Sequence, residues 1–300
     1  MRDRSQLQSF AWLSVLTAVG VIVLKLLAWK WTGSVGLLSD ALESGVNLAA
    51  ALATVAAVAV AARPPDDDHA YGHDKIEFFA SGFEGALIVT AAVGIFWTAV
   101  PRLFAPETPH ALGPGLALSA LASGLNLLTA RVLLRTGRER HSPALTADGH
   151  HLMSDVWSSI GVLAGMLLVW LTGWPLLDPL IALAVACYIV VMGVRLVREA
   201  ASGLLDRALP EPQRKAIDGV LEAFRERGVD FHAIRTRSSG ARQFVSLHVL
   251  VPDEWSVRRG HDLVEQLEDD LRAVLPAGII FTHMEPLNDP KSWEDQALHR

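Results

Sequence analysis

Over its first two thirds the chain repeats one pattern, a long apolar run followed by a short polar joint. A spanning helix needs about 20 mostly apolar residues, and six such segments are predicted near 9–31, 35–62, 78–104, 112–135, 144–172 and 176–198. Gly and Pro mark the joints: Thr32-Gly33, Pro64-Pro65, Pro106 to Pro114, Gly137 and Gly173-Trp174-Pro175. After Leu205 charged residues become frequent and apolar runs shorten. Pro210–Arg227 reads as an amphipathic helix, and Phe231–Arg237 and Gln243–Val251 alternate as strands around Ser238-Ser239-Gly240. Ser256–Leu275 returns to helical spacing, and Gly278–His283 is a short apolar strand. The order helix, strand, strand, helix, strand suits a small open α+β sandwich. The expected organisation is an all-α six-helix membrane bundle in 1–205, an α+β domain in 206–287 and a flexible polar tail in 288–300.

Composition agrees with a membrane protein. Of 300 residues, 51% are hydrophobic and only 19% charged, too apolar for an ordinary soluble domain of this size. A net charge of -6 does not suggest nucleic acid as a partner. The single cysteine, Cys187, excludes an internal disulfide and a cysteine-rich zinc module. Within Ala182–Val191 it reads as a buried or lipid-facing thiol. The stretch Phe10–Trp31 is too long for a signal h-region and lacks a small-residue cleavage site, so it is read as the first span. Arg2, Arg4, Arg63, Lys75, Arg138 and Arg140 fall in the terminus and loops of one side, which predicts cytoplasmic N- and C-termini. Trp29, Trp31, Trp170 and Trp174 fall near helix ends, where interfacial aromatics sit.

Against this background the ionisable residues inside the spans stand out, because a charge at the bilayer centre costs several kcal/mol unless it faces partners or a water path. The second span carries Ser39-Asp40-Ala41-Leu42-Glu43-Ser44-Gly45-Val46-Asn47, and the fifth carries Asp148-Gly149-His150-His151-Leu152-Met153-Ser154-Asp155. Glu43 and Asn47 are four apart, as are His151 and Asp155, so each pair shares a helix face. Two such pairs facing each other offer four N/O donors, which suits tetrahedral zinc. Ionised Glu43 and Asp155 with a neutral His151 balance a divalent cation. The competing reading is that these groups only pair with one another to hold the bundle. Asp40 and Asp148 sit near one turn from the pairs and line a wet cavity or act as acceptors behind the ligands.

Two further clusters follow. The loop Asp66-Asp67-Asp68-His69-Ala70-Tyr71-Gly72-His73-Asp74-Lys75 offers Asp66, His69 and His73 as a metal clasp, with a solvated acidic loop as the alternative. The C-terminal domain holds His232, His248, His261 and His283, with Glu285 two beyond the last. Residues two apart on a strand share a face, so His283 and Glu285 can chelate together. Spacing alone does not bring the other histidines to them.

These pieces together resemble the cation diffusion facilitator family of metal/proton antiporters, in particular its bacterial zinc and iron efflux members. The likeness runs from about residue 10 to residue 286 and rests on SDALESGVN, DDDHAYGHDKIE, HHLMSD, LLDRALP, HAIRTR, FVSLHV and THMEP. It implies six helices plus a cytoplasmic ferredoxin-like domain, in a homodimer embedded in the lipid of the inner (plasma) membrane. It implies a transport site at Glu43, Asn47, His151 and Asp155, and a loop site at Asp66, His69 and His73. It also implies a cytoplasmic binuclear site at His232, His248, His261, His283 and Glu285, and a junction salt bridge on Lys75 and Asp206. One departure bears on the metal: the family usually has aspartate at Asn47, and Asp or His at Glu43. His151 argues against an all-oxygen site for manganese or magnesium. The expected function is exchange of cytoplasmic Zn2+ for protons by alternating access, with Zn2+ also regulatory and iron, cobalt, nickel or cadmium as alternative cargo. The rival is a membrane-embedded metal sensor or scaffold that binds without transport. An enzyme is not expected, since neither HExxH nor GxSxG is present.

Overall fold

The structure, a computed structural model, describes residues 2–32, 35–105, 114–174 and 176–296, with the side chains of scattered helical positions, 35–43 among them, left aside. The predicted joints at Gly33, Pro106 to Gly113 and Pro175, and the side chains of Trp29, Trp31, Asp40, Glu43 and Trp170, lie outside the described residues.

Among the described residues, six long helices come first: α1 (Arg2–Thr32), α2 (Val35–Ala61), α3 (Ile76–Phe104), α4 (Pro114–Glu139), α5 (Pro143–Thr172) and α6 (Leu177–Leu204). Several run past the apolar stretch that predicts them. Apolarity marks the section in lipid, whereas the helix continues as far as its backbone can pair. The pairs Arg135–Glu139 (2.8 Å) and Arg195–Glu199 (3.0 Å), each four residues apart, extend α4 and α6 in that way. Leu7–Leu27, Ile76–Phe104 and Pro179–Leu204 are long and apolar enough to cross a membrane. The outside of the bundle is itself apolar: Trp97 is 82% exposed and Phe104 85%, with Phe79, Phe83, Leu128 and Val191 also outward. A continuous apolar exterior of this kind suits lipid rather than water.

Inside, the helices meet on small residues. Ala11, Ala57, Ala80, Ala130 and Ala144 pack with Leu7, Val58, Leu133, Leu145 and Leu152. Small side chains let helix backbones approach, which is how contact is gained in lipid, where burying apolar surface gives no advantage. The Thr17 and Thr129 hydroxyls, 2.8 Å apart, tie α1 to α4. A close approach joins α3 to α6, where a Cβ on Gly85 would fall 2.8 Å from Val197 Cγ2 and 3.1 Å from the Gly193 carbonyl oxygen.

The chain divides into two compact units, 1–201 and 202–300. The second holds α7 (Glu211–Arg225), β1 (Asp230–Ser239), β2 (Arg242–Val251), α8 (Val257–Val274) and β3 (Gly278–Pro286). α7 starts at Pro210 with Pro212 in its first turn, where a missing N–H costs nothing. α8 is capped by the Ser256 side chain, which accepts from the Arg259 amide at 3.3 Å. The sheet order is β1-β2-β3, β1 antiparallel and β3 parallel to β2. Both helices cover one face: Ile217, Leu221, Phe224, Leu263, Leu267 and Leu271 pack on Phe231, Val245, Leu247, Val249 and Ile280. The alternate residues of each strand point to the other face.

The tail differs from expectation. Pro290–Gln296 forms a 3-10 turn. Trp293 donates its indole N–H to the Leu287 carbonyl at 3.1 Å, and the Ser292 hydroxyl donates to the Pro286 carbonyl at 2.8 Å. The tryptophan ring lies 5.5 Å from the His232 ring, so one large aromatic anchors a segment whose composition is otherwise that of a loose end. Residues 297–300 lie outside the described residues.

Candidate metal centres

The first centre lies inside the bundle. Asn47 on α2 and His151 and Asp155 on α5 meet there; the Asn47 amide nitrogen donates to Asp155 Oδ2, and Asn47 Oδ1 is 2.8 Å from His151 Nε2. Asn47 and His151 are buried. Ionised Asp155 only accepts, so Asn47 donates with Nδ2 and accepts with Oδ1, and His151 Nε2 carries a proton in this arrangement. The i,i+4 spacing on α5 stacks His151 and Asp155 on the face turned to α2. Glu43 is one turn before Asn47 on α2, its side chain outside the described residues.

Two groups beyond the sequence-derived set join this centre. Asn126 on α4 offers its Nδ2 to Asp155 Oδ2 at 3.5 Å. Glu84 on α3, fully buried, places Oε2 3.5 Å from His151 Nδ1, and its Oε1 accepts from the Thr54 hydroxyl at 2.9 Å. Asp148 is also buried, at 1% exposure, so it does not line an open cavity in this conformation. Glu84 has a signal in the sequence, the one carboxylate within the apolar stretch 78–104, that spacing alone does not tie to α5.

The second centre is the loop after α2. Asp66 Oδ1 accepts from the His69 amide at 2.7 Å and lies 3.1 Å from His69 Nδ1, while Asp66 Oδ2 is 3.1 Å from His73 Nε2. Desolvation pulls the Asp66 carboxyl upward, but the His69 amide and ring outweigh it and hold it below the ordinary carboxylate value. Gly72, at φ 87, makes the turn that returns His73 toward Asp66. One ligand atom from each of the three falls within a 4.8 Å cluster.

The third centre is on the helix-free face of the sheet. Strand register pairs His232 with His248 and His248 with His283, so the three imidazoles form one row across the strands. Their rings are 4.9 and 5.0 Å apart in turn. Glu285, two residues beyond His283, reaches back across this row. Its Oε2 is 2.8 Å from His232 Nε2 and 3.2 Å from His248 Nδ1, and its Oε1 is 3.5 Å from His283 Nε2. His232, His248 and Glu285 form a compact ligand group. Imidazoles and a carboxylate are donors zinc takes. His261 is not brought to this group. It lies on α8, which covers the opposite face; it is 65% exposed and 3.9 Å from Glu265. The neighbouring Gly260 shows why, since it sits against Met284, which points to the helix side of β3. Asp206 accepts from Arg237 at 3.1 Å within its own unit.

Bundle, loop and sheet each gather donors of the kind that hold metal ions, and the comparisons with known proteins give the family. Residues 11–205 match the family model described as cation efflux transmembrane domain, and 209–287 that described as cation efflux protein, cytoplasmic domain. The chain belongs to the cation diffusion facilitator family of membrane-embedded cation efflux transporters, which are not enzymes. It is 47% identical over 285 residues to the uncharacterized transporter sll1263 of Synechocystis sp., covering 95% of this chain and 92% of that one. It is 34% identical over 267 residues to the cation-efflux pump FieF of Serratia proteamaculans, covering 89% and 88%. FieF of Pectobacterium atrosepticum is 33% identical over 275 residues, 91% of each chain.

Proposed function

We propose that the protein exports a divalent transition-metal ion from the cytoplasm in exchange for protons, with zinc as first cargo and iron, cobalt, nickel and cadmium as alternatives. The observation that carries this reading is the meeting of Asn47, His151 and Asp155 from two helices in the buried interior of the bundle. A cation entering this point replaces the Asn47–His151 and Asn47–Asp155 hydrogen bonds with coordination by Nε2, a carboxylate and an amide oxygen, Glu43 completing the set from α2. The bundle then turns its opening outward, as alternating access requires. Ligand atoms must be deprotonated to hold metal, so protons arriving from outside displace the ion and return inward on the same groups.

On this reading all six helices span the inner membrane, with both termini cytoplasmic and lipid around the bundle. Residues 206–287 form a ferredoxin-like domain in a homodimer, followed by the tail from 288. The loop site takes Asp66, His69 and His73. In the cytoplasmic site His232, His248, His283 and Glu285 would hold regulatory zinc. His261, on the far layer of the sheet, is available to it only from a second copy.

A second reading, a metal sensor or scaffold that binds without moving its ion, draws on that cytoplasmic cluster. Proteoliposomes separate the two. Metal-driven proton flux is expected with the parent protein and is expected to vanish in Asp155→Ala while the protein stays monodisperse. Flux that persists in the variant overturns the site, and absence of metal counterflow in the parent favours the sensor.

A further inference from the structure

We infer that Glu84 is a positioning residue of the transport site: its carboxylate receives the Nδ1–H of His151 and so presents Nε2 as the lone pair that meets the cation. The inference rests on the transport-site reading above. An unbroken chain of polar contacts supports it, running from Thr54 Oγ1 to Glu84 Oε1 (2.9 Å) and from Glu84 Oε2 to His151 Nδ1 (3.5 Å). It continues from His151 Nε2 to Asn47 Oδ1 (2.8 Å) and from the Asn47 amide to Asp155. Among the described residues, Glu84 Oε2 and His151 Nδ1 are both buried without any hydrogen-bond partner, and they face each other. A wholly buried carboxyl group in a membrane helix is costly to keep; one of its oxygens is held by Thr54, and the other faces the His151 ring.

An imidazole offers one nitrogen to a metal, and the partner of the other nitrogen decides which. While Asn47 holds Nε2, the 3.5 Å gap at Nδ1 is too long for a tight hydrogen bond. Once a cation replaces Asn47 at Nε2, the ring's proton belongs on Nδ1, and a small rotation closes it on Glu84. Thr54 fixes the carboxylate for that closure.

Zinc uptake by the full-length protein in proteoliposomes tests this. Loss of such a partner typically weakens metal binding about 10- to 100-fold. Glu84→Gln is expected to raise the KM for zinc by at least about tenfold, with maximal rate and melting temperature close to the parent's. Thr54→Val, nearly isosteric, should shift KM in the same direction by less, and it decides the matter if Glu84→Gln does not fold. His151→Ala should be inactive. Unchanged KM in both variants beside an inactive His151→Ala overturns the role of Glu84 alone. A lower maximal rate and melting temperature at unchanged KM makes Glu84 structural and also overturns it. An active His151→Ala removes the transport site, and Glu84's role with it.

Discussion

Glu285 engages two histidines through one oxygen and faces a third through the other. Its burial pulls the carboxyl upward, but the hydrogen bonds from His232 and His248 prevail and hold it below the ordinary glutamate value. A carboxylate depressed by folding stabilises the folded state above its unfolded pKa, about 4.3, and the contribution is lost as pH falls through the lower folded value. Glu285→Gln is therefore expected to loosen the sheet at neutral pH in chelator. Amide hydrogen exchange in β2 and β3 should be faster than in the parent at pH 7, and the difference should close in acid below pH 4.3. A difference that stays constant into acid would show that the residue acts by shape and not by charge.

Within the elements, α3 carries more than its apolar sequence advertises. One side of it is pinned to α6 at Gly85 and Gly193, and the residue before Gly85 is the carboxylate that faces His151. Gly85→Leu has no room, since even a Cβ meets Val197 at 2.8 Å and the Gly193 carbonyl at 3.1 Å. Overpacking of this kind costs about 1–3 kcal/mol, so the variant should melt lower in detergent than the parent and also transport more slowly, because Glu84 moves with the helix. An unchanged melting curve would mean that α3 and α6 do not meet at these glycines. The six bundle helices were legible as apolar length, and the i,i+4 spacing of His151 and Asp155 placed both on one face. Glu84 escaped because its neighbours in the centre lie on other helices, Thr54 on α2 and His151 on α5, and nothing in the spacing of α3 points to them. The row of three histidines was grouped by the resemblance but not by spacing, for a related reason. Alternation shows that His232, His248 and His283 each lie on a strand, but a slip of one residue in register would turn any of them to the helix side. Only the pairing of β1 with β2 and of β2 with β3 aligns them. The same face assignment sets His261 apart, although the resemblance groups it with them.

For the whole molecule, two units with separate interiors divide the work, one holding the buried centre and the other the sheet centre. The second unit needs nothing from lipid, because its amphipathic helices bury Leu221, Phe224, Leu263, Leu267 and Leu271 against its own sheet. A fragment of residues 202–300 is therefore expected to be soluble and to unfold in one cooperative denaturant transition. Because the ligand groups of the sheet centre come from three strands and converge only when those strands are paired, zinc is expected to bind the folded fragment and not its unfolded chain. At free zinc about 100 times Kd, mass action adds about 2.7 kcal/mol per site. His248→Ala removes the central imidazole of the row and should abolish most of that gain, while lowering the metal-free midpoint by less, since His248 lies on the face opposite the core and Glu285 keeps its contact with His232. A fragment that melts without cooperativity, or a zinc shift that survives His248→Ala, would place the regulatory ion elsewhere and leave the row of histidines without a metal to hold.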